Sequence, residues 1–157
     1  MTPAHSAPID RPTTQFPPSL VLSFDASVHY GPAHAHPVSG AIGYLVEEGT
    51  ETVLRGSERV DHLVSSSALE FRALLEAARA VDRTFDRVAS LHVRGDADFF
   101  VDAVDPRLDA MPECGVSRRR VERIRALLDP VPTVTYRVVP RGLNDRAHRL
   151  ARAGHAR

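Results

Sequence analysis

The chain contains no lysine, and all 20 of its basic residues are arginines. They balance 20 acidic residues, so the formal net charge is zero and overall charge does not indicate a nucleic-acid partner. There is no apolar run of about 18 residues, which excludes a hydrophobic membrane-spanning helix. The start of the chain lacks the basic-then-apolar pattern of a secretory signal peptide. A single cysteine, Cys114, excludes an internal disulfide and favours a reducing, cytoplasmic location.

What is present suits one domain. The 157 residues are 43% hydrophobic and 25% charged, which is ordinary for a globular protein large enough to bury a core. Residues 1–18 contain five prolines and few large apolar groups, so we expect a flexible leader there. We expect residues 19–157 to form a single domain, because no internal linker or repeat divides them.

Hydrophobic periodicity predicts five strands and four helices. The strands are expected at residues 20–25, 40–46, 51–60, 88–93 and 133–139, with Glu48-Gly49 as a hairpin turn between the second and the third. The helices are expected over residues 65–81, 98–104, 117–128 and 144–153, with serines 65–67 as candidate caps of the first. This order predicts an α/β fold with a mixed five-stranded sheet, in which three antiparallel strands precede α/β crossovers and helices flank the sheet.

Three carboxylates fall at the ends of predicted elements. Asp25 ends the first strand, Glu70 lies in the first turn of the first helix, and Asp96 follows the fourth strand. Such positions can bring oxygen ligands to one sheet edge, where divalent ions bind and support phosphoryl chemistry. Each acid also has a structural interpretation, as the start of a turn, a helix-dipole partner and a helix cap, respectively. The spacing alone leaves both interpretations open.

Five short segments of the sequence say more about the role of these acids than their spacing does. They are residues 23–25 (SFD), 40–43 (GAIG), 65–70 (SSSALE), 93–96 (VRGD) and 144–151 (NDRAHRLA). In this order they resemble the type 1 ribonuclease H family, especially its reverse-transcriptase-like branch, from about residue 20 to residue 153. The resemblance implies an RNase H-like fold and a metal-dependent endonuclease that cuts the RNA strand of RNA–DNA hybrids. It also implies two divalent ions, Mg²⁺ or Mn²⁺, and we favour a monomer.

The resemblance implies that Asp25, Glu70 and Asp96 are the family's catalytic and metal-binding acids. The family's fourth acid falls on His148, four residues after Asn144. We interpret His148 as a catalytic and metal-binding residue that acts as a ligand or a proton carrier. Imidazole suits Mn²⁺ better than Mg²⁺, which prefers oxygen. The alternative is a partly degraded site in which His148 is a surface residue.

The same resemblance suggests the substrate contacts. Ser66 and Ser67 stand where family members often carry asparagine before the helix glutamate, and Asn144 keeps the asparagine of the last helix. Arg141, in the loop before that helix, could clamp a phosphate. The family's basic protrusion is echoed by the arginine cluster of residues 118, 119, 120, 123 and 125, although a helix would spread these charges over more than one face.

Three functions are compatible with these residues. A hybrid-specific endonuclease would recognise A-form shape and 2′-hydroxyls rather than base sequence. A 3′–5′ exonuclease of a related fold usually has a second acid two residues after the first, where Ser27 stands, which argues against it. The third is a catalytically impaired nucleic-acid-binding or partner-docking domain. A zinc site at His34 and His36 is disfavoured, because no further ligand spacing accompanies the pair.

Overall fold

The computed structural model describes residues 16–31, 37–61, 65–108, 111–112 and 115–157. Most of the predicted leader lies outside these residues, as do His34, His36 and Cys114. In the described part of the chain, none of the helices has the length and apolar character needed to cross a bilayer.

A five-stranded mixed sheet forms the centre of the molecule. Across the sheet the order is β3-β2-β1-β4-β5; β1 to β3 are antiparallel, and β4 and β5 run parallel to β1. The predicted sheet is thereby confirmed, and Gly49 (φ 61°) makes the predicted β2–β3 turn, in a conformation that glycine adopts without strain. The strands are β1 (Ser19–Tyr30), β2 (Pro37–Glu48), β3 (Glu51–Val60), β4 (Ser90–Gly95) and β5 (Thr133–Val138).

Four α-helices flank the sheet in the predicted order. They are α1 (Ser66–Thr84), α2 (Phe99–Val104), α3 (Gly115–Leu128) and α4 (Asp145–Ala153). Ser65 caps α1, because its hydroxyl accepts a hydrogen bond from the Ala68 N–H at 3.1 Å. Several boundaries differ from the prediction: β1 and β2 are longer than residues 20–25 and 40–46, and α1 ends at Thr84 instead of residue 81. The fourth strand begins two residues later, and a 3₁₀ turn over Arg141–Asn144 precedes α4.

The two faces of the sheet are covered differently. On one face Leu20, Leu22 and Phe24 of β1 are almost fully buried in the hydrophobic core that α1 and α3 complete. On the other face α4 packs against β1, β2 and β3. The side chains of β4 and β5 on that second face remain partly or fully exposed, as the alternation of burial in both strands shows.

Candidate active site

Asp25 lies inside β1 and not at its end, which corrects the prediction from the sequence. The strand continues to Tyr30 because the residues after Asp25 still pair with β2. Its parallel pairing with β4, however, stops at Ser23, opposite Arg94. Asp25 therefore stands just beyond the point at which β1 and β4 separate, and Asp96 follows directly after β4 at the same edge.

The structure brings the three predicted carboxylates together. Asp25, Glu70 and Asp96 each offer one ligand oxygen, and these oxygens lie within 4.8 Å of one another. Glu70 is the fifth residue of α1, so its predicted place in the first turn is wrong. Asp98, and not Asp96, precedes α2 at its N-cap position. The interpretations of Glu70 as a first-turn dipole partner and of Asp96 as a cap therefore fail.

Glu70 is poorly stabilised as an anion in the absence of a cation. Burial, followed by the charges of Asp25 and Asp96, raises the pKa of its carboxyl to about 9, although the Ala26 N–H opposes this rise. The residue as a whole is partly exposed, but its Oε2 atom is fully buried and has no hydrogen-bond partner. Clustered carboxylates with an unpartnered buried oxygen are a donor set that fits a hard divalent cation such as Mg²⁺ or Mn²⁺.

Asp96 also has a raised pKa, for the same two kinds of reason as Glu70. Burial and then the charge of Asp25 raise the pKa of its carboxyl, whereas Arg141, a hydrogen bond from Asn144 and His148 lower it. The three carboxyls thus repel one another when ionised, while the Arg141 guanidinium stands at their margin. A bound divalent cation would relieve that repulsion directly.

His148 is held between Asp25 and Arg141. Its Nδ1 lies 2.7 Å from Asp25 Oδ2, and Arg141 Nη2 lies 3.0 Å from its Nε2 and 3.3 Å from its Nδ1. A carboxylate can only accept, so Nδ1–H donates to Asp25. Because Arg141 Nη2 is almost equally far from the two ring nitrogens, its guanidinium lies over the imidazole ring. The imidazole stands outside the group of three carboxylates and is linked to it through Asp25. Its predicted role as a metal ligand stays a prediction.

Asn144 is buried and acts on the backbone. Its Nδ2 donates a hydrogen bond of 2.9 Å to the carbonyl of Phe24, next to Asp25, and only 2% of the residue is exposed. This bond ties the start of α4 to the strand that carries the first carboxylate. The predicted contact of Asn144 with substrate stays a prediction.

A pocket of about 360 Å³ opens at the carboxylates. It is lined by Asp25, Ala26, Glu70, Asp96 and the segment from Val139 to Arg141. The exposed Arg141 thus stands where the sequence analysis expected a phosphate clamp. Ser66 and Ser67 are exposed in the first turn of α1 and are not among the residues that line the pocket.

The arginine cluster of α3 is smaller than its sequence suggests. Arg120 donates to the carbonyl of Ala68 in α1, and Arg125 donates to that of Ala103 in α2 at 2.6 Å. Both guanidinium groups therefore join helices together. The exposed members of the cluster are Arg118, Arg119 and Arg123.

Gly43 is a site residue whose role the sequence analysis missed. It pairs with Asp25 across β1 and β2, and the backbone of α4 lies directly against it. A Cβ atom at Gly43 would stand 2.6 Å from the carbonyl carbon of Leu150 and 2.8 Å from the carbonyl oxygen of Ala147. Glycine therefore permits the close approach that brings His148 to Asp25. A glycine inside a strand was the available signal.

The fold is that of type 1 ribonuclease H domains, and the carboxylate group lies at the edge of its sheet. No family model matches the sequence, and no curated protein matches it either. The N-terminal RNase H domain of a Mycobacterium tuberculosis protein is similar, with a TM-score of 0.75 and 16% identity over 88% of this chain and 94% of that one. RNase H1 from Halobacterium salinarum is similar with a TM-score of 0.72 and 23% identity, over 87% and 96% of the two chains.

A third similar structure contains a nucleic acid. LC11-RNase H1 in complex with an RNA/DNA hybrid superposes with a TM-score of 0.71 and 17% identity, over 88% of this chain and 97% of that one. Identities this low show a shared fold alone.

Proposed function

We propose that the protein is a ribonuclease H that hydrolyses the RNA strand of RNA–DNA hybrids at internal positions with the help of two divalent ions. The observation that carries the proposal is the convergence of Asp25, Glu70 and Asp96 within 4.8 Å. The hybrid complex of LC11-RNase H1, which has the same fold, supports the choice of substrate.

Asp25, Glu70 and Asp96 would hold the metal, and we propose His148 as the fourth member of the set. When bound, Mg²⁺ or Mn²⁺ would activate the attacking water and stabilise the leaving 3′ oxygen. Glu70 has to lose its proton to act as a ligand, and its raised pKa means that metal loading and proton release are coupled.

The neighbouring side chains have separable tasks in this proposal. His148 orients Asp25 through the bond from Nδ1–H, and its Nε2 would bind metal or carry a proton once Arg141 moves off the imidazole ring. Arg141 donates to a phosphate oxygen at the pocket rim. Ser66 and Ser67, one turn before Glu70, offer exposed hydroxyls to a phosphate or a 2′-hydroxyl, and Asn144 is the remaining proposed substrate contact.

The test is cleavage of an internally labelled RNA–DNA hybrid in Mg²⁺ and, separately, in Mn²⁺. Double-stranded RNA, single-stranded RNA and an Asp25→Asn variant serve as controls. We expect internal cuts in the RNA strand of the hybrid alone, and their loss in the variant. Stepwise removal of terminal nucleotides would instead identify an exonuclease. A far-ultraviolet circular dichroism spectrum equal to that of the native protein would show that the variant is folded.

A catalytically impaired nucleic-acid-binding or partner-docking domain is the second candidate. The specific observation in its favour is that His148 replaces an acid and is already engaged by Arg141. Hybrid binding without cleavage in either metal would support it. We also propose a monomer, which sedimentation would test, and keep a cytoplasmic location as an expectation from the single cysteine.

A further inference from the structure

A cationic face lies on β4 and β5, on the side of the sheet that carries α4. We define it by His92 and Arg94 of β4 and by Thr135 and Arg137 of β5. The His92 Nδ1 and the Thr135 hydroxyl lie 2.6 Å apart, and Arg94 Nη2 donates to the carbonyl of Leu143 at 3.2 Å. These two bonds show the side of the sheet to which His92, Arg94 and Thr135 point, and Arg137 shares it because it is two residues after Thr135 in β5.

Arg94 and Arg137 are direct neighbours across the β4–β5 ladder. Like charges at directly opposite positions destabilise a sheet, so the pair has a cost that needs a compensating charge. Neither guanidinium forms an ion pair with a carboxylate of the described residues. Burial and the two arginines also lower the pKa of His92, as expected for a face that lacks a counter-charge.

The cationic face is continuous with the rim of the candidate active site. Arg94 holds Leu143, which lies in the same 3₁₀ turn as Arg141. Arg137 is followed along the chain by the Val139–Arg141 segment that lines the carboxylate pocket. An extended polyanion engaged at Arg141 could therefore continue across β5 and β4. The residues of the face are partly or fully exposed, which suits a strand of repeated phosphates better than a small enclosed anion.

We propose that this face binds the phosphodiester backbone of the hybrid where it leaves the active site, with Arg94 and Arg137 each contacting a phosphate. The inference deepens the proposed function and rests on it for the identity of the hybrid. Parallel neighbours in a sheet are about 5 Å apart, and a nucleic-acid strand carries one charge per about 3.4 Å of helix axis. Two adjacent guanidinium groups can therefore meet phosphates of one strand.

The test measures binding and not cleavage. Fluorescence anisotropy of a labelled RNA–DNA hybrid is recorded in EDTA over a range of salt concentrations for the native protein and an Arg94→Ala/Arg137→Ala variant. The matched control is Arg83→Ala/Arg87→Ala, which removes two exposed arginines at the opposite end of α1 from Glu70. Urea unfolding checks that each variant is folded, and an Arg94→Lys/Arg137→Lys variant restores the charge alone.

Each phosphate contact contributes about 0.9 to the slope of log affinity against log salt, so the loss of two should reduce that slope by about 2. A fourfold rise in salt lowers the affinity for the hybrid by some factor in each protein. That factor should be about tenfold smaller for the Arg94→Ala/Arg137→Ala variant than for the native protein. The control should keep the native slope, and the lysine variant should recover most of it.

A slope that is unchanged in the alanine variant, or reduced equally in the control, would overturn the inference. The same measurements distinguish a failure of this inference from a failure of the proposed nuclease activity. Cleavage by the native protein together with an unchanged slope would reject the cationic face alone. Hybrid binding that depends on Arg94 and Arg137 without any cleavage would uphold the face and reject the nuclease.

Discussion

Replacing Glu70 by glutamine should stabilise the metal-free protein at neutral pH. The carboxyl of Glu70 has a pKa raised from 4.5 to about 9, first by burial and then by Asp25 and Asp96. It therefore keeps its proton in the folded protein at pH 7 and loses it on unfolding. Glutamine has nearly the shape of the protonated acid and cannot ionise. Ionisation at residue 70 therefore stabilises the denatured state of the native protein but not that of the variant.

The sign and the size follow from linkage. Because the folded pKa is raised, the contribution of Glu70 to stability is complete below pH 4.5 and declines as pH rises towards 9. From pH 4.5 to pH 7 the native protein loses about 1.4 kcal/mol per pH unit over about 2.5 units. The free energy of unfolding of the Glu70→Gln variant should therefore be about 3 kcal/mol larger than that of the native protein at pH 7. At pH 4 the two free energies should be almost equal.

Urea unfolding in EDTA at acidic, neutral and mildly alkaline pH measures this difference. Glu76→Gln is the control on the same helix, because Glu76 forms ion pairs with Arg72 at 3.1 Å and with Arg79 at 2.7 Å. Neutralising Glu76 should lower the free energy of unfolding by up to about 1 kcal/mol. Saturating Mg²⁺ should then stabilise the native protein more than the Glu70→Gln variant. A variant no more stable than the native protein at pH 7, or one equally favoured at pH 4, would refute the reasoning.

Three further substitutions test the framework of the site. Gly43→Ala should lower the free energy of unfolding by more than about 2 kcal/mol, since its Cβ would collide with the backbone of α4; a urea curve within about 0.5 kcal/mol of the native one would contradict this. Ser65→Ala should lower the free energy of unfolding by about 1 kcal/mol through loss of the α1 cap, whereas Ser66→Ala should change it little. A loss for Ser65→Ala no larger than that for Ser66→Ala would contradict the role of the cap. His148→Asp should raise the ratio of cleavage rates in Mg²⁺ to those in Mn²⁺, because Mg²⁺ prefers oxygen, and an unchanged ratio would place residue 148 outside the metal shell.

Local patterns were sufficient for most of the fold. The third strand has its predicted bounds, Gly49 makes the predicted turn, and Ser65 is the cap among the three candidate serines. These features depend on residues within a few positions of one another, where alternation, turn chemistry and capping act. The register of the sheet was beyond such patterns, because β1 pairs with two strands to different lengths.

The sequence by itself determined the element order, the mixed sheet and the three carboxylates that a divalent cation would need. Only the tertiary structure decided that Asp25 lies inside its strand and that burial and the neighbouring acids raise the pKa of Glu70. It also decided that His148 reaches Asp25 across 123 positions of the chain. Each of these depends on burial, on charges from distant segments and on the close packing of α4 against Gly43, and periodicity along a single chain carries no record of such contacts.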